Sequence, residues 1–218
     1  READTRLAEY DRIGAKVDSI LKQLPEEEKA GFYQLLYYPV KGCEFLNKMV
    51  LYGQKNRWYA LQKRAATNSI SKEVKAYYDS LQIITQGYNS LLNGKWNPVM
   101  TTRQGFAASY FELPKLMTVS LPDAPSLGVL AEGEDVLQGK SSIHTLPAFN
   151  TYFRQSYYVD LFNKGIIPLN WSVTTSDDWI VIDKKEGITK LEERIWVSID
   201  WTKVPVGERI SGVIDVMA

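Results

Sequence analysis

The spacing of apolar residues changes close to Asn93-Gly94, and this change restricts the folds open to the chain. Before this dipeptide, apolar residues recur every three or four positions, which is the period of an α-helix with one buried face. After it, apolar residues alternate with polar ones, and β-branched runs are separated by turn-forming residues. This alternation is typical of an antiparallel strand with one face exposed to solvent. The pattern predicts an α+β chain, with helices first and antiparallel strands afterwards.

Prolines and glycines divide the helical part into segments. The apolar series from Leu7 to Leu24 predicts a first helix. Pro25 and the three glutamates after it predict the start of a second, short helix, because proline lacks only an amide that would be unbonded there. We expect Pro39 to end or kink that helix, before a long helical segment. The last helix is predicted to stop at Asn93-Gly94.

The β part carries shorter signals. Leu169–Thr175 and Ile195–Trp201 alternate apolar with polar residues, and Arg209–Val216 is predicted to be the last strand. Turn candidates lie between these strands, among them Ser176–Asp178 and Glu186-Gly187. Their spacing is typical of a small immunoglobulin-like sandwich.

We therefore predict three regions along the chain. Residues 1–96 form an antiparallel helical bundle, residues 97–149 form a proline-rich connector with short strands, and residues 150–218 form an immunoglobulin-like antiparallel β-sandwich. Within the connector, the strand-like pieces are Leu116–Leu121 and Leu127–Ala131.

Composition excludes several kinds of site. A chain of 218 residues, 44% of them hydrophobic, can bury a core. Its 26 lysines and arginines balance 26 aspartates and glutamates, so no global field attracts nucleic acid or an acidic membrane. One cysteine, Cys43, and one histidine, His144, exclude an internal disulfide and a Cys/His metal cluster. We expect no metal, no cofactor, no nucleic-acid partner and no membrane partner.

Three groups of reactive residues have simpler structural interpretations. Residues 41–75 hold eight basic side chains interleaved with aromatic ones, which suits nucleic acid, but a solvated helix face is the simpler explanation. Cys43 and His144 would need an orienting third group for catalysis, so we expect a buried helix thiol and a surface or structural imidazole. Glycoside hydrolysis needs two carboxylates, and Glu192-Glu193 and Asp177-Asp178 are nominal pairs, yet adjacent side chains point apart in a strand.

The segment after the last predicted helix best suits carbohydrate binding. Lys95, Trp96 and Asn97 place a cation, an aromatic ring and an amide on a predicted turn, and Arg103 follows shortly afterwards. Aromatic faces cover the C–H surfaces of sugars, amides bond hydroxyl groups, and cations pair with a uronic carboxylate. The alternative, which we prefer, is that Trp96 fills the junction between helices and strands.

Four sequence blocks are similar to one enzyme family. They are Phe32-Tyr33-Gln34-Leu35-Leu36-Tyr37-Tyr38-Pro39-Val40-Lys41, Lys55-Asn56-Arg57-Trp58-Tyr59-Ala60-Leu61-Gln62-Lys63-Arg64-Ala65, Gly94-Lys95-Trp96-Asn97, and Phe153-Arg154-Gln155-Ser156-Tyr157-Tyr158-Val159-Asp160-Leu161-Phe162-Asn163-Lys164-Gly165. In this order they resemble the region after the catalytic barrel of glycoside hydrolase family 115, the xylan α-1,2-(4-O-methyl)glucuronidases. The resemblance covers nearly the whole chain.

The resemblance implies a large enzyme in which an α/β domain and a catalytic barrel precede a helical bundle and a β-sandwich. This chain resembles the last two parts, so no catalytic residue of the barrel carries over to it. One loop departs from the family, which has a histidine and a Met-Met-Asp-Gln-Thr-His-type run where this chain has Pro98–Gln104. The family also continues into a further β domain, so we expect an excised fragment.

What the resemblance implies about partners follows from the parent enzyme. The missing barrel of the same parent chain would be the main partner, glucuronoxylan a second one, and a homo-oligomer stays open. A polymeric substrate implies a periplasmic or secreted location. The chain alone is expected to hydrolyse nothing, and to support the barrel, the active-site rim or the subunit interface.

A carbohydrate-binding or protein-interaction module is the competing class. It predicts exposed aromatic residues, whereas a spacer would bury the tryptophans of the β part, which are Trp171, Trp179, Trp196 and Trp201. An independent enzyme is a third class, and it would need a preorganised pocket that these residues do not indicate.

Overall fold

The computed structural model describes residues 1–100, 111–134, 143–207 and 209–218, in which helices precede strands. The helical elements are α1 (Glu2–Gln23), α2 (Glu26–Phe32), a π-helical turn (Tyr33–Tyr37), α3 (Tyr38–Leu61) and α4 (Thr67–Gly94). The strands are β1 (Leu127–Ala131), β2 (Tyr157–Asn163), β3 (Leu169–Thr175), β4 (Ile180–Ile182), β5 (Glu186–Thr189), β6 (Glu192–Ile199) and β7 (Ile214–Met217). The predicted α+β class is confirmed.

The strands form two antiparallel sheets. Their orders are β1-β2-β6-β4 and β5-β3-β7. None of the helices in the described ranges combines the length and the apolar character that crossing a membrane requires.

The chain divides into two compact units. The first unit contains Arg1–Asn56 and Ser69–Met117, and therefore α1, α2 and most of α3 and α4. The second unit contains Arg57–Asn68 and Thr118–Ala218. The connection between α3 and α4 thus belongs to the same unit as the strands.

In the first unit, Pro39 alters the helix without ending it. The turn before it is π-helical, and the Tyr38 N–H donates to the Tyr33 carbonyl five residues back. Proline has no N–H to donate, and a π-helical turn is one way for a helix to continue around such a defect. Of the two predicted effects, an end at Pro39 is wrong, because α3 continues through this residue.

The predicted stop at Asn93-Gly94 is confirmed. Leu92, Asn93 and Gly94 have left-handed backbone conformations, with φ of 51°, 58° and 79°. Glycine adopts this conformation without strain and asparagine tolerates it, whereas a leucine there is uncommon. Helical dihedral angles are already lost at Leu91.

Buried charges join α1 to α3 in the first unit. Glu44 on α3 is buried, and its two oxygens lie 2.6 Å from Lys41 Nζ and 2.7 Å from Lys48 Nζ. Lys41 also pairs with Asp18 of α1 at 3.1 Å. Gly14 of α1 faces this carboxylate so closely that a Cβ there would lie 2.0 Å from Glu44 Oε2. The glycine therefore permits the close approach of the two helices.

In the second unit, inward-facing residues of both sheets form one apolar cluster. Alternate residues of β3 are buried, and the same holds for the middle of β6. The cluster consists of Val159, Leu161, Trp171, Val173, Trp179, Ile180, Ile182, Ile195 and Val197. The period-two pattern that predicted β3 therefore records which of its side chains are in the core.

Three local predictions in the β part are wrong. Trp201 lies in a turn, because β6 ends at Ile199. Glu186-Gly187 belongs to β5 rather than to a turn, and Gly187 pairs with Trp171, whose indole would be 2.6 Å from an added Cβ. The last strand is Ile214–Met217, shorter than the predicted segment.

One of the two strand-like pieces of the predicted connector is a strand. Leu127–Ala131 is β1 and pairs with β2. Leu116–Leu121 does not form a strand. Side-chain amides make the backbone hydrogen bonds that a neighbouring strand would otherwise make. Asn68 donates to the Val119 carbonyl and accepts its N–H, at 3.0 and 2.9 Å. In the first unit, Asn56 makes the same pair of bonds to Met117, at 3.0 and 2.7 Å.

Candidate functional site

The structure brings together Lys95 and Trp96, two residues predicted to bind a sugar. Both follow the left-handed end of α4, and Lys95 Nζ lies 5.0 Å from the centroid of the Trp96 ring. The indole is half-buried, and its Nε1 is buried with no hydrogen-bond partner in the described part of the chain. Asn97 is exposed, and its N–H donates to the Gly94 carbonyl at 3.0 Å. Arg103, the fourth candidate, lies outside the described residues.

A side-chain amide on α4 holds the segment that follows these residues. Asn89 Nδ2 donates to the Met100 carbonyl at 2.8 Å, and the Met100 N–H donates to Asn89 Oδ1 at 3.1 Å. The Val99 N–H donates to the Trp96 carbonyl at 2.7 Å. These bonds fix the backbone around Lys95 and Asn97, whose side chains point into solvent.

An open cleft of about 740 Å³ lies beside the left-handed end of α4. Its wall includes Lys22 of α1, Lys29 of α2, Tyr33, Leu92 and Asn93. Lys29 is already paired with Glu26 at 2.7 Å, while the Tyr33 hydroxyl donates to a carbonyl of α4. Burial raises the pKa of Tyr33, with a smaller contribution from Tyr38, so its phenol stays protonated. Two of the donors in this wall are therefore already used within the chain.

The most buried charged side chain of the second unit is Arg64, which sequence reasoning did not single out. It is 1% exposed, and its guanidinium carbon lies 4.2 Å from the Tyr59 ring centroid and 4.0 Å from that of Phe162. Arg64 Nη1 donates to Glu192 at 3.0 Å and lies 3.6 Å from Asp160. The guanidinium thus contacts two aromatic rings and is paired with carboxylates.

The partners of Arg64 are themselves paired. Asp160 accepts two hydrogen bonds from Arg194, at 2.8 and 3.2 Å. The Tyr59 hydroxyl donates to Glu192 at 3.0 Å. Burial raises the pKa of Tyr59 well above its usual range, and Glu192 adds to the effect, while Arg64 opposes it. Each buried charge in this cluster has a counter-charge, which is the condition under which such groups are tolerated.

Two sequence signals pointed towards the cluster. Asp160 interrupts an otherwise apolar strand, and Glu192 and Arg194 face the same side of β6. An acidic residue among buried strand residues indicates a buried partner. The identity of that partner was not readable, because Arg64 and Glu192 are 128 positions apart.

The predicted carboxylate pairs are divided between different partners. Glu192 is in the Arg64 cluster, and Glu193 pairs with Lys184. Asp177 accepts a bond from Ser176, and Asp178 lies 3.7 Å from Lys203. Among the residues that the structure describes, no three histidine, cysteine or acidic side chains converge on a metal position.

Cys43 lies in surroundings different from those expected, whereas the contacts of His144 agree with the expected structural imidazole. Cys43 is exposed on α3, so the prediction of a buried helix thiol is wrong, because its position falls outside the buried stripe of that helix. His144 is mostly buried and its Nδ1 lies 2.8 Å from Glu134 Oε2. Glu134 also accepts the N–H groups of Ala131 and Thr145, both at 3.0 Å.

The basic segment of residues 41–75 uses several of its cations internally. Lys41 and Lys48 belong to the buried Glu44 network, Arg64 to the cluster of the second unit, and Lys75 pairs with Asp79 at 2.7 Å. Cations held in this way are not free to contact phosphates.

Comparison with known proteins gives likenesses to solved structures but no sequence match. No family model and no curated protein matches the sequence. Among solved structures, the chain is similar to a family GH115 4-O-methyl-α-glucuronidase, BtGH115A, with specificity for decorated arabinogalactans. The likeness covers 99% of this chain and 31% of that enzyme, at 17% identity and a TM-score of 0.44. The chain therefore spans about a third of the length of the enzyme.

Proposed function

We propose that this chain is a non-catalytic part of a larger glycoside hydrolase of the xylan α-glucuronidase type. In this proposal the helices of the first unit pack as a bundle, and the two sheets of the second unit form an immunoglobulin-like sandwich. Both would lie beside a catalytic barrel of the same parent chain. The four ordered sequence blocks that resemble family 115 support this assignment.

The Arg64 cluster is the observation that carries the proposal. Arg64 and Tyr59 come from the second block, whereas Asp160 and Phe162 come from the fourth. Arg64 contacts each of the other three side chains, and all four are buried. Residues from two separate blocks therefore form one structural feature. A buried guanidinium with two carboxylates specifies how its elements pack, which suits a supporting role.

The carboxyl groups of Glu134 and Asp200 do not suit general-acid catalysis. A glycosidase needs a general acid whose pKa is raised. Burial tends to raise the pKa of Glu134, but the bonds from His144 and two backbone N–H groups outweigh it and lower the pKa. Bonds from Thr202 lower the pKa of Asp200. Both shifts oppose the one that general-acid catalysis requires.

Within this proposal, Lys95, Trp96, Asn97 and Arg103 are the candidate sugar contacts of the first unit. Glucuronoxylan is the proposed polymer, a second copy of the chain is a further proposed partner, and the proposed location is periplasmic or secreted. The alternative is a carbohydrate-binding or protein-interaction module, and the tryptophans divide between the two classes. Trp171 and Trp179 are buried in the core of the second unit, whereas Trp196 and Trp201 are half-buried.

An antibody raised against the purified chain tests the proposal. In extracts of the source organism we expect it to detect a protein well above 24.9 kDa. Immunodepletion should remove the activity that releases 4-O-methylglucuronic acid from xylo-oligosaccharides, whereas pre-immune serum should leave it. The purified chain alone should release no uronic acid. An antigen of the chain's own mass, or activity that survives complete depletion, would refute the proposal.

A further inference from the structure

We propose that the turn Asn150–Arg154 in the second unit is a contact site for an acidic saccharide; this inference rests on the proposed function. Two consecutive aromatic side chains stand on this turn, and Tyr152 is 92% exposed and Phe153 80% exposed. Large apolar side chains this exposed, and adjacent, mark interaction sites more often than isolated ones do.

The turn is held in place by its own hydrogen bonds. Asn150 Oδ1 accepts the N–H of Tyr152 at 3.1 Å and that of Phe153 at 3.0 Å. Arg154 then has a left-handed backbone, with φ of 41°, which is uncommon for a residue with a branched-chain or long side chain. The two rings are therefore presented on an ordered turn, which lowers the entropy lost when a ligand binds.

The residues that flank the rings in sequence are compatible with a saccharide. From Asn150 to Tyr158 the chain contains aromatic and polar residues and no aliphatic side chain. Aromatic rings cover sugar C–H faces, and amide and hydroxyl groups bond sugar hydroxyls. Tyrosine, phenylalanine and arginine are also enriched at protein interfaces, so the choice of a saccharide rests on the charge at this turn.

The positive charge of Arg154 indicates that the sugar is an acidic one. Arg154 is exposed beside the rings, and a guanidinium forms a two-pronged pair with a carboxylate. Arg194, the other arginine of this sheet region, is engaged with Asp160 and stacks on Tyr158 at 3.7 Å. Arg154 is therefore an exposed cation that a uronic carboxylate at this turn can reach.

Calorimetric titration of the whole chain tests the inference. The ligands are xylo-oligosaccharides with and without a glucuronic acid branch. The double variant Tyr152→Ala/Phe153→Ala should weaken binding of the decorated ligand by about tenfold or more. Ile188→Ala, which removes an equally exposed apolar side chain from β5, is the matched control and should bind as the wild type does.

Arg154→Gly separates charge from stacking. Glycine removes the guanidinium and accepts the left-handed backbone, so folding should be preserved and the melting temperature unchanged or raised. We expect this variant to lose the preference for the decorated ligand and to keep the weaker binding of the undecorated one. Arg154→Lys should retain part of the preference.

The outcomes that overturn the inference are distinct from those that refute the proposed function. Equal affinity of wild type and double variant, or no heat at millimolar ligand, overturns the sugar site whatever the immunodepletion shows. Self-association in sedimentation equilibrium that the double variant abolishes, without sugar binding, would make the turn a protein contact and also overturn it. Loss of sugar binding in the double variant, with normal melting of that variant, supports it.

Discussion

The guanidinium of Arg64 lies over the ring of Phe162, with 4.0 Å between its central carbon and the ring centroid. The two residues are far apart in sequence, and the contact attaches the α3–α4 connection to strand β2 within the second unit. Arginine suits this position because its planar group stacks on rings while its edge donates to carboxylates. Lysine has neither a planar charged group nor several donors in a fixed geometry.

Replacing Arg64 should strongly destabilise the second unit. Arg64→Ala leaves Glu192 without this partner and opens a cavity between two rings, so we expect a loss of about 3–5 kcal/mol in the free energy of unfolding. Arg64→Lys should also lower the free energy of unfolding, by a large part of the same amount. Urea denaturation followed by the fluorescence of the buried Trp171 and Trp179 measures the effect.

Arg12→Ala is the control for this substitution. Arg12 pairs with Glu9 on the exposed face of α1. Such pairs contribute about 0–1 kcal/mol, so the control should be nearly neutral. Equal unfolding midpoints for Arg64→Ala and Arg12→Ala would contradict the structural role of the Arg64 cluster.

Two glycine substitutions in the first unit should have opposite effects. Alanine generally stabilises a helix interior relative to glycine by about 1 kcal/mol. Gly31→Ala on α2 meets no atom within 4 Å and should stabilise the unit. Gly14→Ala places a Cβ 2.0 Å from Glu44 Oε2, which two lysines hold in place, so we expect a net destabilisation of about 1–3 kcal/mol. Thermal melts followed by circular dichroism compare the two, and stabilisation by both would show that Glu44 moves aside easily.

Glu134 should give the second unit an acid-sensitive contribution to stability. Its pKa is below the ordinary 4.5 in the folded chain, because bonds from His144, Ala131 and Thr145 outweigh burial. A lowered folded pKa means that the contribution is complete above the unfolded value and is lost as pH falls through the folded one. The loss should therefore begin near pH 4.5 and continue below it.

Melting curves of Glu134→Gln across this acid range measure the effect. The variant should be less stable than the wild type at neutral pH, and the difference should shrink as the pH falls below 4.5. Asp215→Asn, an exposed residue on β7, is the control and should parallel the wild type. A difference that stays constant with pH would exclude Glu134 as the titrating group.

Trp96 and Lys95 should differ in their effects on stability. Trp96 is half-buried, so Trp96→Ala removes packing and should cost about 1–3 kcal/mol in the first unit. Lys95 is exposed, and its contact with the indole is worth about 0.5–1 kcal/mol at most. Equilibrium unfolding of the two variants decides the point. A larger loss for Lys95→Ala than for Trp96→Ala would contradict this division of roles.

The local features of the fold followed directly from the sequence. The helical spacing, the stop at Asn93-Gly94, strand β1 and the alternation of Leu169–Thr175 are properties of single segments, because each depends on which side chains a segment can bury. The same reasoning placed Lys95 and Trp96 together after a helix. It failed for Trp201 and for Glu186-Gly187, where apolar alternation and a glycine suggested the wrong element.

The tertiary structure alone decided which segments meet. Nothing near Arg64 in the sequence shows that it is buried between two rings, because its partners on β2 and β6 lie far along the chain and are selected by packing and charge neutralisation. In the same way, Cys43 is exposed because of where the buried stripe of α3 falls. Periodicity determines which residues of a segment are buried. Only the folded chain determines which other residues they pack against.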